Sequence, residues 1–183
     1  MKSLFIRAAV PLALALGLAA CGGTATYPIS GSVTGVKYEG LVIANGSDTV
    51  AVPPGATKYT LPNAIEYGNV YTVTIKSPPA HQDCVLVIGD RRVATESNTA
   101  GRLAVIDVPV LCFLKVHNVV AKLNAPAEGL VLTNGASSVT LGSTTTSATF
   151  AVEYGASYGI TVLTQPKDKT CTVERGTGVM GDN

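Results

Sequence analysis

Three residues that can bind a transition metal stand close together at His81, Asp83 and Cys84. Imidazole nitrogen, carboxylate oxygen and thiolate sulfur are the donor atoms that zinc takes from proteins. Structural zinc uses four ligands, however, and His117 is the only other histidine of the chain. We therefore expect His81 to lie in a solvated loop and His117 to project from a strand. The sequence predicts no metal site and no cofactor.

Residue patterns typical of enzymes give no positive signal. The segment 176–181 (GTGVMG) has the spacing of a dinucleotide-binding loop, but such a loop needs a following helix to hold the pyrophosphate, and only two residues follow. No Gly-x-Ser-x-Gly motif is present. Glu66 and Glu153 occupy equivalent positions of an internal repeat, which favours a structural role. We therefore predict no catalytic residue and no enzymatic activity.

The N-terminus has the organisation of an export signal. Lys2 and Arg7 precede thirteen uncharged, mostly apolar residues from Ala8 to Ala20. A bilayer crossing needs about 20 such residues, so a transmembrane helix is not expected. A cleaved secretory signal peptide over residues 1–20 is the prediction.

Leu18-Ala19-Ala20-Cys21 resembles the lipobox of bacterial lipoproteins. The resemblance implies that Cys21 is lipidated and becomes the first residue, with residues 21–27 as a tether to the membrane. Asp is absent immediately after Cys21, which by resemblance to enterobacterial sorting favours the outer membrane, on either its periplasmic or its surface side. The alternative is an ordinary cleaved leader that is followed by a cysteine by chance.

Charge excludes one class of partner. Removal of the leader takes Lys2 and Arg7 from the 13 basic residues and leaves 11 of them against 12 acidic residues. A chain this close to neutral has no basic surface for nucleic acid and no polybasic segment for anionic lipid. The lipid itself is therefore expected to hold the protein on the membrane.

The strongest organising feature is an internal repeat. Residues 40–46 (GLVIANG) recur as 129–135 (GLVLTNG), 89 positions later. Residues 66–74 recur as 153–161, and Cys84 recurs as Cys171, both 87 positions later. Matches in this order predict two copies of one domain, over residues 28–112 and 113–183.

Each copy is expected to be all-β. Val, Thr, Gly, Ser and Pro are abundant, Trp is absent, and β-branched residues favour strands. In the first copy we predict seven strands: 31–34, 41–44, 49–52, 58–61, 71–75, 84–88 and 103–110. This pattern indicates an immunoglobulin-like β-sandwich, with a small open barrel as the alternative. The loops 37–39 and 90–100 are where binding would be expected.

The motifs Gly-Leu-x-Leu-x-Asn-Gly and Gly-x-x-Tyr-x-Val, followed by Pro, Cys and a closing Val-x-Val-x-Cys, resemble the tandem β-sandwich repeats of proteobacterial surface proteins. The resemblance extends over nearly the whole exported chain. It implies a fold and an export route, and it carries no assigned activity.

Export places the cysteines in an oxidising compartment, where a disulfide between Cys84 and Cys112 of the first copy is expected. Cys171 corresponds to Cys84, and by the same spacing its partner would fall near position 199, beyond Asn183. We therefore expect Cys171 to be a free thiol and the second copy to lack its last strand. One hypothesis is a truncated gene product. The other is that a protein partner supplies a strand at the open edge.

These observations predict a non-enzymatic, membrane-anchored lipoprotein that acts as a cell-envelope scaffold or as an interaction or adhesion module. The alternative is a module that binds a small ligand or a glycan, although the absence of Trp disfavours glycan binding.

Overall fold

A computed structural model of the chain describes residues 24–182. This part is all-β, as predicted, and contains strands and turns but no helix. Cys21 and the leader lie outside the described residues. Two separate hydrophobic clusters divide the strands into a first lobe, residues 24–114, and a second lobe, residues 116–182.

The first lobe contains twelve strands. They are β1 Thr26–Tyr27, β2 Ile29–Thr34, β3 Leu41–Asn45, β4 Asp48–Val52, β5 Lys58–Thr60, β6 Ile65–Glu66, β7 Val70–Ser77, β8 Gln82–Ile88, β9 Arg91–Val93, β10 Thr95–Thr99, β11 Ile106–Asp107 and β12 Val110–Leu114. One sheet has the order β10-β7-β3-β4. The other has the order β11-β2-β12-β8-β9, with β5 paired to β2.

The core of the first lobe lies between these two sheets. Ile43 and Val73 enter it from the four-stranded sheet, while Ile29, Leu86 and Val110 enter from the other, and all five are buried. Alternate residues of each strand supply these side chains, because successive side chains point to opposite faces. Two sheets that share one apolar core are consistent with a β-sandwich.

The predicted strand over residues 103–110 is wrong in its first half. Leu103 and Val105 are 60% and 59% exposed and lie in a bend, and pairing begins only at Ile106. The loop predicted over residues 90–100 is also wrong, because it contains β9 and β10. β10 pairs along its whole length with β7, from Thr95 opposite Thr74 to Thr99 opposite Val70.

Tyr59 joins β5 to the segment before β12. Its hydroxyl donates a hydrogen bond to the carbonyl oxygen of Val108 at 2.9 Å, and the ring is 5% exposed. Gly31 lies beneath this contact, where a Cβ atom would meet the Val108 carbonyl oxygen at 2.1 Å. Only glycine allows the two backbone segments to approach this closely. Burial, and secondarily the charge of Asp107, raises the pKa of Tyr59 well above its usual range.

The raised pKa of Tyr59 predicts a loss of stability in alkali. A folded-state pKa above the unfolded value of about 10 stabilises the fold fully below that pH, and the contribution is lost as the pH rises beyond it. Tyr59→Phe is expected to lower the free energy of unfolding by about 1 kcal/mol at neutral pH. The free energy of unfolding of this variant should also fall less steeply above about pH 10 than that of the natural chain, as measured by urea unfolding across pH. Tyr67→Phe, at a 61% exposed position, is the control and should keep the decline. An undiminished decline in Tyr59→Phe would contradict the assignment.

The second lobe contains six strands in the described residues. They are β13 Val116–Lys122, β14 Val131–Asn134, β15 Ser137–Thr140, β16 Ser147–Glu153, β17 Ser157–Thr164 and β18 Thr177–Val179. β13 pairs with β16, and a four-stranded sheet has the order β15-β14-β17-β18. Leu130, Leu132, Leu141, Phe150 and Ile160 form the buried core.

The repeated Asn-Gly motif makes the same contacts in both lobes. Gly46 and Gly135 turn the β3–β4 and β14–β15 hairpins with φ of 60° and 59°, which favours glycine. Asn45 accepts a hydrogen bond from the backbone N–H of Thr72 at 2.8 Å. Asn134 accepts one from the N–H of Gly159 at 2.9 Å. The asparagine side chain thus ties each hairpin to the neighbouring strand, in the register that the repeat predicts.

The two lobes are joined with almost no linker. β12 ends at Leu114 and β13 begins at Val116, so Lys115 alone separates them. The backbone N–H of Lys115 donates to the carbonyl oxygen of His81, and its own carbonyl accepts from Tyr154. The connection is therefore hydrogen-bonded to both lobes.

Candidate functional site

A groove with an apolar floor opens along one side of the second lobe, beside β13. This strand alternates between exposed residues and the half-buried His117, Val119 and Ala121. Its partner β16 has the matching alternation, with Ala148, Phe150 and Val152 buried. Because the side-chain period of a strand is two, β13 turns one apolar face towards the core.

Backbone pairing leaves one edge of β13 open. On the β16 side, the N–H of Leu123 donates to the carbonyl oxygen of Thr146, and the carbonyl oxygen of Lys115 accepts from the N–H of Tyr154. Since bonds to one neighbour come from alternate residues, the N–H and C=O groups of Asn118 and Val120 point to the other edge. Among the described residues no strand pairs with that edge. Val120 is 47% exposed there.

The groove has a volume of about 870 Å³. Its floor is formed by core residues such as Leu130, Leu132 and Ile160, and its far wall by the segment 169–176. That segment corresponds to β8 of the first lobe but forms no strand. The groove therefore lies at the place where, in the first lobe, β11 and β12 pair with β2.

The wall of the groove is fixed by a few polar contacts. The side chain of Gln165 makes two hydrogen bonds with the backbone of Cys171, accepting at 2.8 Å and donating at 2.9 Å. The ammonium group of Lys169 donates to the carbonyl oxygen of Pro126 at 2.8 Å. The carbonyl oxygen of Gly176 accepts from the N–H of Ile160 at 2.7 Å. These contacts fix the segment 169–176, which pairs with no strand along the groove.

Charges surround the groove unevenly. Lys122, Lys169 and Arg175 line it together with one carboxylate, Glu174. Three cations against one anion give the lining a net positive charge.

The first lobe has a disulfide at this place, whereas the second lobe has a single cysteine. Cys84 of β8 and Cys112 of β12 face each other across the sheet and form the predicted disulfide. Cys171, the counterpart of Cys84, is free and half-buried, and it packs against the second core. The lipidation predicted for Cys21 falls outside the described residues.

A second cluster lies where the lobes meet. The His81 ring stacks on the Tyr154 ring with centroids 3.8 Å apart and planes at 2°. Tyr38 approaches both rings edge-on, at 5.2 Å and 5.8 Å. Nδ1 of His81 contacts a carboxylate oxygen of Asp182, and Nε2 of His117 lies 3.6 Å from the other oxygen. Neither nitrogen makes a hydrogen bond of good geometry.

His81 lies in the turn before β8, as expected for a loop residue, but the expectation that it is solvated is wrong. Its side chain is 27% exposed and packs between the lobes, and its backbone has a positive φ of 60° that is uncommon for a residue other than glycine. The loop 37–39, where binding is expected, also takes part, since Tyr38 belongs to the cluster. No short-range sequence pattern indicates this cluster, because its five members come from five distant segments.

Gln82 positions the first-lobe half of this cluster. It is 0% exposed, and its side-chain oxygen accepts from the N–H groups of Lys37 and Tyr38 at 2.7 Å and 3.1 Å. Its amide nitrogen donates to the carbonyl oxygen of Gly35 at 2.7 Å. One buried side chain thus ties the segment 35–38 to β8, next to His81.

We expect the stacked rings to couple the two lobes energetically. His81→Ala and Tyr154→Ala together should cost about 1 kcal/mol less than the sum of the single changes, because each removes the same contact. Urea unfolding of the four chains of this double-mutant cycle measures the difference. A cycle of Tyr154 with the exposed Tyr67, which is outside the cluster, should be additive. Additivity in both cycles would contradict the coupling.

Within residues 24–182, no three His, Cys, Asp or Glu side chains are grouped so as to hold a metal ion. Cys84, one of the three metal-binding residues noted in the sequence, is in the disulfide. In the same part of the chain, no helix has the length and apolarity needed to cross a membrane.

Comparisons with known proteins give no relative. No protein-family model, no curated protein and no solved structure matches this chain.

Proposed function

We propose that this protein is a non-enzymatic, lipid-anchored interaction module of the bacterial outer membrane, built from two tandem immunoglobulin-like β-sandwiches. The anchor rests on the leader and on the lipobox resemblance at Cys21. The tandem arrangement rests on the repeat, on the two hydrophobic clusters and on the shared Asn-Gly contacts.

One observation carries the interaction role. The second lobe presents a groove of about 870 Å³, with an apolar floor and polar walls, beside a strand edge that no described residue pairs. Unpaired edges are normally blocked or covered, because they otherwise pair with other chains. A groove beside such an edge is suited to binding an extended polypeptide segment.

The lining favours a polypeptide over a sugar. None of the residues that line the groove is aromatic. Sugar rings are commonly held against aromatic faces, whereas a strand is held by backbone hydrogen bonds with alternate side chains in apolar pockets. The groove therefore supports the interaction module better than the glycan-binding alternative.

Site-specific photo-crosslinking in intact cells tests the interaction role. A photoreactive amino acid at Val120, on the open edge, should give one dominant adduct whose attachment point maps to an extended apolar segment of another polypeptide. The same group at Val70, which is 66% exposed on a strand paired on both sides, is the matched control and should give none. No adduct at Val120, or equal adducts at both positions, would count against the proposal.

Intact mass of protein extracted from membranes tests the anchor separately. We expect a chain that begins at Cys21 and carries acyl groups, and Cys21→Ser should abolish both the added mass and the membrane association. An unlipidated mass for the natural chain would exclude the anchor while leaving the groove unaffected.

A further inference from the structure

The first lobe shows what covers the equivalent strand edge. There β2 pairs with β5 on one side and with β11 and β12 on the other, and the second pairing is parallel. The N–H of Val108 donates to the carbonyl oxygen of Ser30 at 2.8 Å on that side. Val110 lies opposite Val33 and enters the core. An extended apolar segment thus closes the first lobe.

The second lobe repeats the framework of this arrangement. Gly31 pairs with Tyr59 in the first lobe, and Ala121 pairs with Ala148 in the second. By this alignment Val120 is the counterpart of Ser30. Its carbonyl faces the open edge, where the first lobe has a hydrogen bond to a parallel strand.

We propose that the groove binds an extended strand of another polypeptide, which runs parallel to β13, places apolar side chains at alternate positions and carries a cysteine opposite Cys171. This inference rests on the proposed function and specifies the partner segment. The acceptor for its backbone is the β13 edge at Asn118 and Val120. The floor for its side chains includes Leu132 and Ile160.

Two separate contacts place the cysteine of the incoming strand. In the first lobe, the segment that pairs with β2 also pairs with β8, with Cys112 directly opposite Cys84. In the second lobe, Cys171 lines the groove and is the counterpart of Cys84. A strand that pairs with β13 in the first-lobe register therefore brings its cysteine to Cys171.

The covalent step is a thiol–disulfide exchange. The Cys171 thiol loses its proton, and the thiolate attacks the partner cysteine sulfur, which is held as a mixed disulfide with a small thiol. The new bond joins the two chains, and the small thiol leaves as its thiolate. The small-molecule disulfide that formed the mixed disulfide is the oxidant.

A synthetic peptide with the sequence of residues 104–115 is the probe for noncovalent binding, with serine in place of its cysteine. Fluorescence anisotropy with the full-length chain should show saturable binding. A peptide with serine at positions 106, 108 and 110 should bind at least ten-fold more weakly. So should a peptide N-methylated at position 108, because that change removes the donor to the β13 edge and alters no residue of the protein.

A protein variant tests the same edge from the other side. Val120→Pro removes an N–H that points away from β16, so the β13–β16 pairing keeps its hydrogen bonds. It should weaken peptide binding at least ten-fold, whereas Val120→Thr should bind as the natural chain does. Circular dichroism checks that both variants keep their strand content.

The peptide with its cysteine activated by 5-thio-2-nitrobenzoate tests the covalent step. Absorbance of the released thiolate should rise at least ten-fold faster than with similarly activated N-acetylcysteine at the same concentration. Cys171→Ser should release none. Equal rates for the peptide and for N-acetylcysteine would show that the groove does not place the cysteine.

Several outcomes would overturn the inference. The first is equal affinity for the unmodified peptide, for the peptide with three serines and for the N-methylated peptide. The second is a native mass of twice the chain mass for the natural chain but not for Val120→Pro, which would show that a second copy of this chain, and not a different polypeptide, occupies the groove. Absence of peptide binding, together with a specific Val120 crosslink in cells, would reject the strand and keep the interaction module. Absence of both would reject the two proposals together.

Discussion

Gln82→Ala is expected to lower the free energy of unfolding of the first lobe by about 3 to 5 kcal/mol. The change removes three hydrogen bonds from a side chain that is 0% exposed. It leaves the part-buried N–H groups of Lys37 and Tyr38 and carbonyl oxygen of Gly35 without their partner. Each such loss costs about 1 kcal/mol or more. Urea unfolding followed by tyrosine fluorescence measures the loss.

Gln165→Ala is the matched control for this prediction. Gln165 makes two hydrogen bonds to backbone groups, against three for Gln82, but it does so at an exposed site where water replaces them. Its removal should cost less than about 1 kcal/mol. The two substitutions therefore separate burial from hydrogen-bond number, and similar losses in both would show that burial does not set the cost. Gln82→Ala should also weaken the coupling between His81 and Tyr154, because Gln82 fixes the backbone beside His81.

Removal of the disulfide by Cys84→Ala and Cys112→Ala is expected to lower the stability of the first lobe by about 3 to 4 kcal/mol. The bond closes a loop with a sequence separation of 28, and the chain-entropy model assigns a loop of that size about 3 to 4 kcal/mol. Both cysteines are replaced together, so that no free thiol remains. Reduction of the natural chain should reproduce the loss in urea unfolding.

Cys171→Ala is the control, since this cysteine is free. It should change stability by less than about 1 kcal/mol, because it is only half-buried. An equal loss in the control, or a loss below about 1 kcal/mol in the double variant, would contradict the assigned role of the disulfide.

The parts of the fold that follow local rules could be predicted from the sequence. Hairpins depend on a few neighbouring positions, namely the Asn-Gly turns at Gly46 and Gly135 and the alternating apolar residues. The all-β class and most strands of the first lobe are therefore predictable from the sequence. The repeat added long-range information, since it made Cys171 the counterpart of Cys84. The disulfide followed from that comparison together with the export signal.

The errors come from positions where tertiary contacts override local pattern. β10 is polar, with the sequence TESNT, and it is a strand because it pairs with β7, which periodicity does not reveal. Leu103 and Val105 read as strand residues, yet both are exposed. The cluster of His81, Tyr154 and Asp182 where the lobes meet is not predicted for a related reason. His81, Tyr154 and Asp182 lie far apart in sequence, and only the packing of the lobes brings them together.

The one-residue connection at Lys115 has a mechanical consequence. A pull between the N-terminal side of the chain and a strand held in the groove would pass from β13 through Lys115 directly into β12. In β12 the force would act on the parallel pairing with β2, where it would shear all the hydrogen bonds between the two strands at once. It would then act on the Cys84–Cys112 disulfide. The disulfide would keep the loop between the two cysteines, with its sequence separation of 28, closed under load. About 90 Å of chain could then not extend. The disulfide would thus limit how far the first lobe extends under tension.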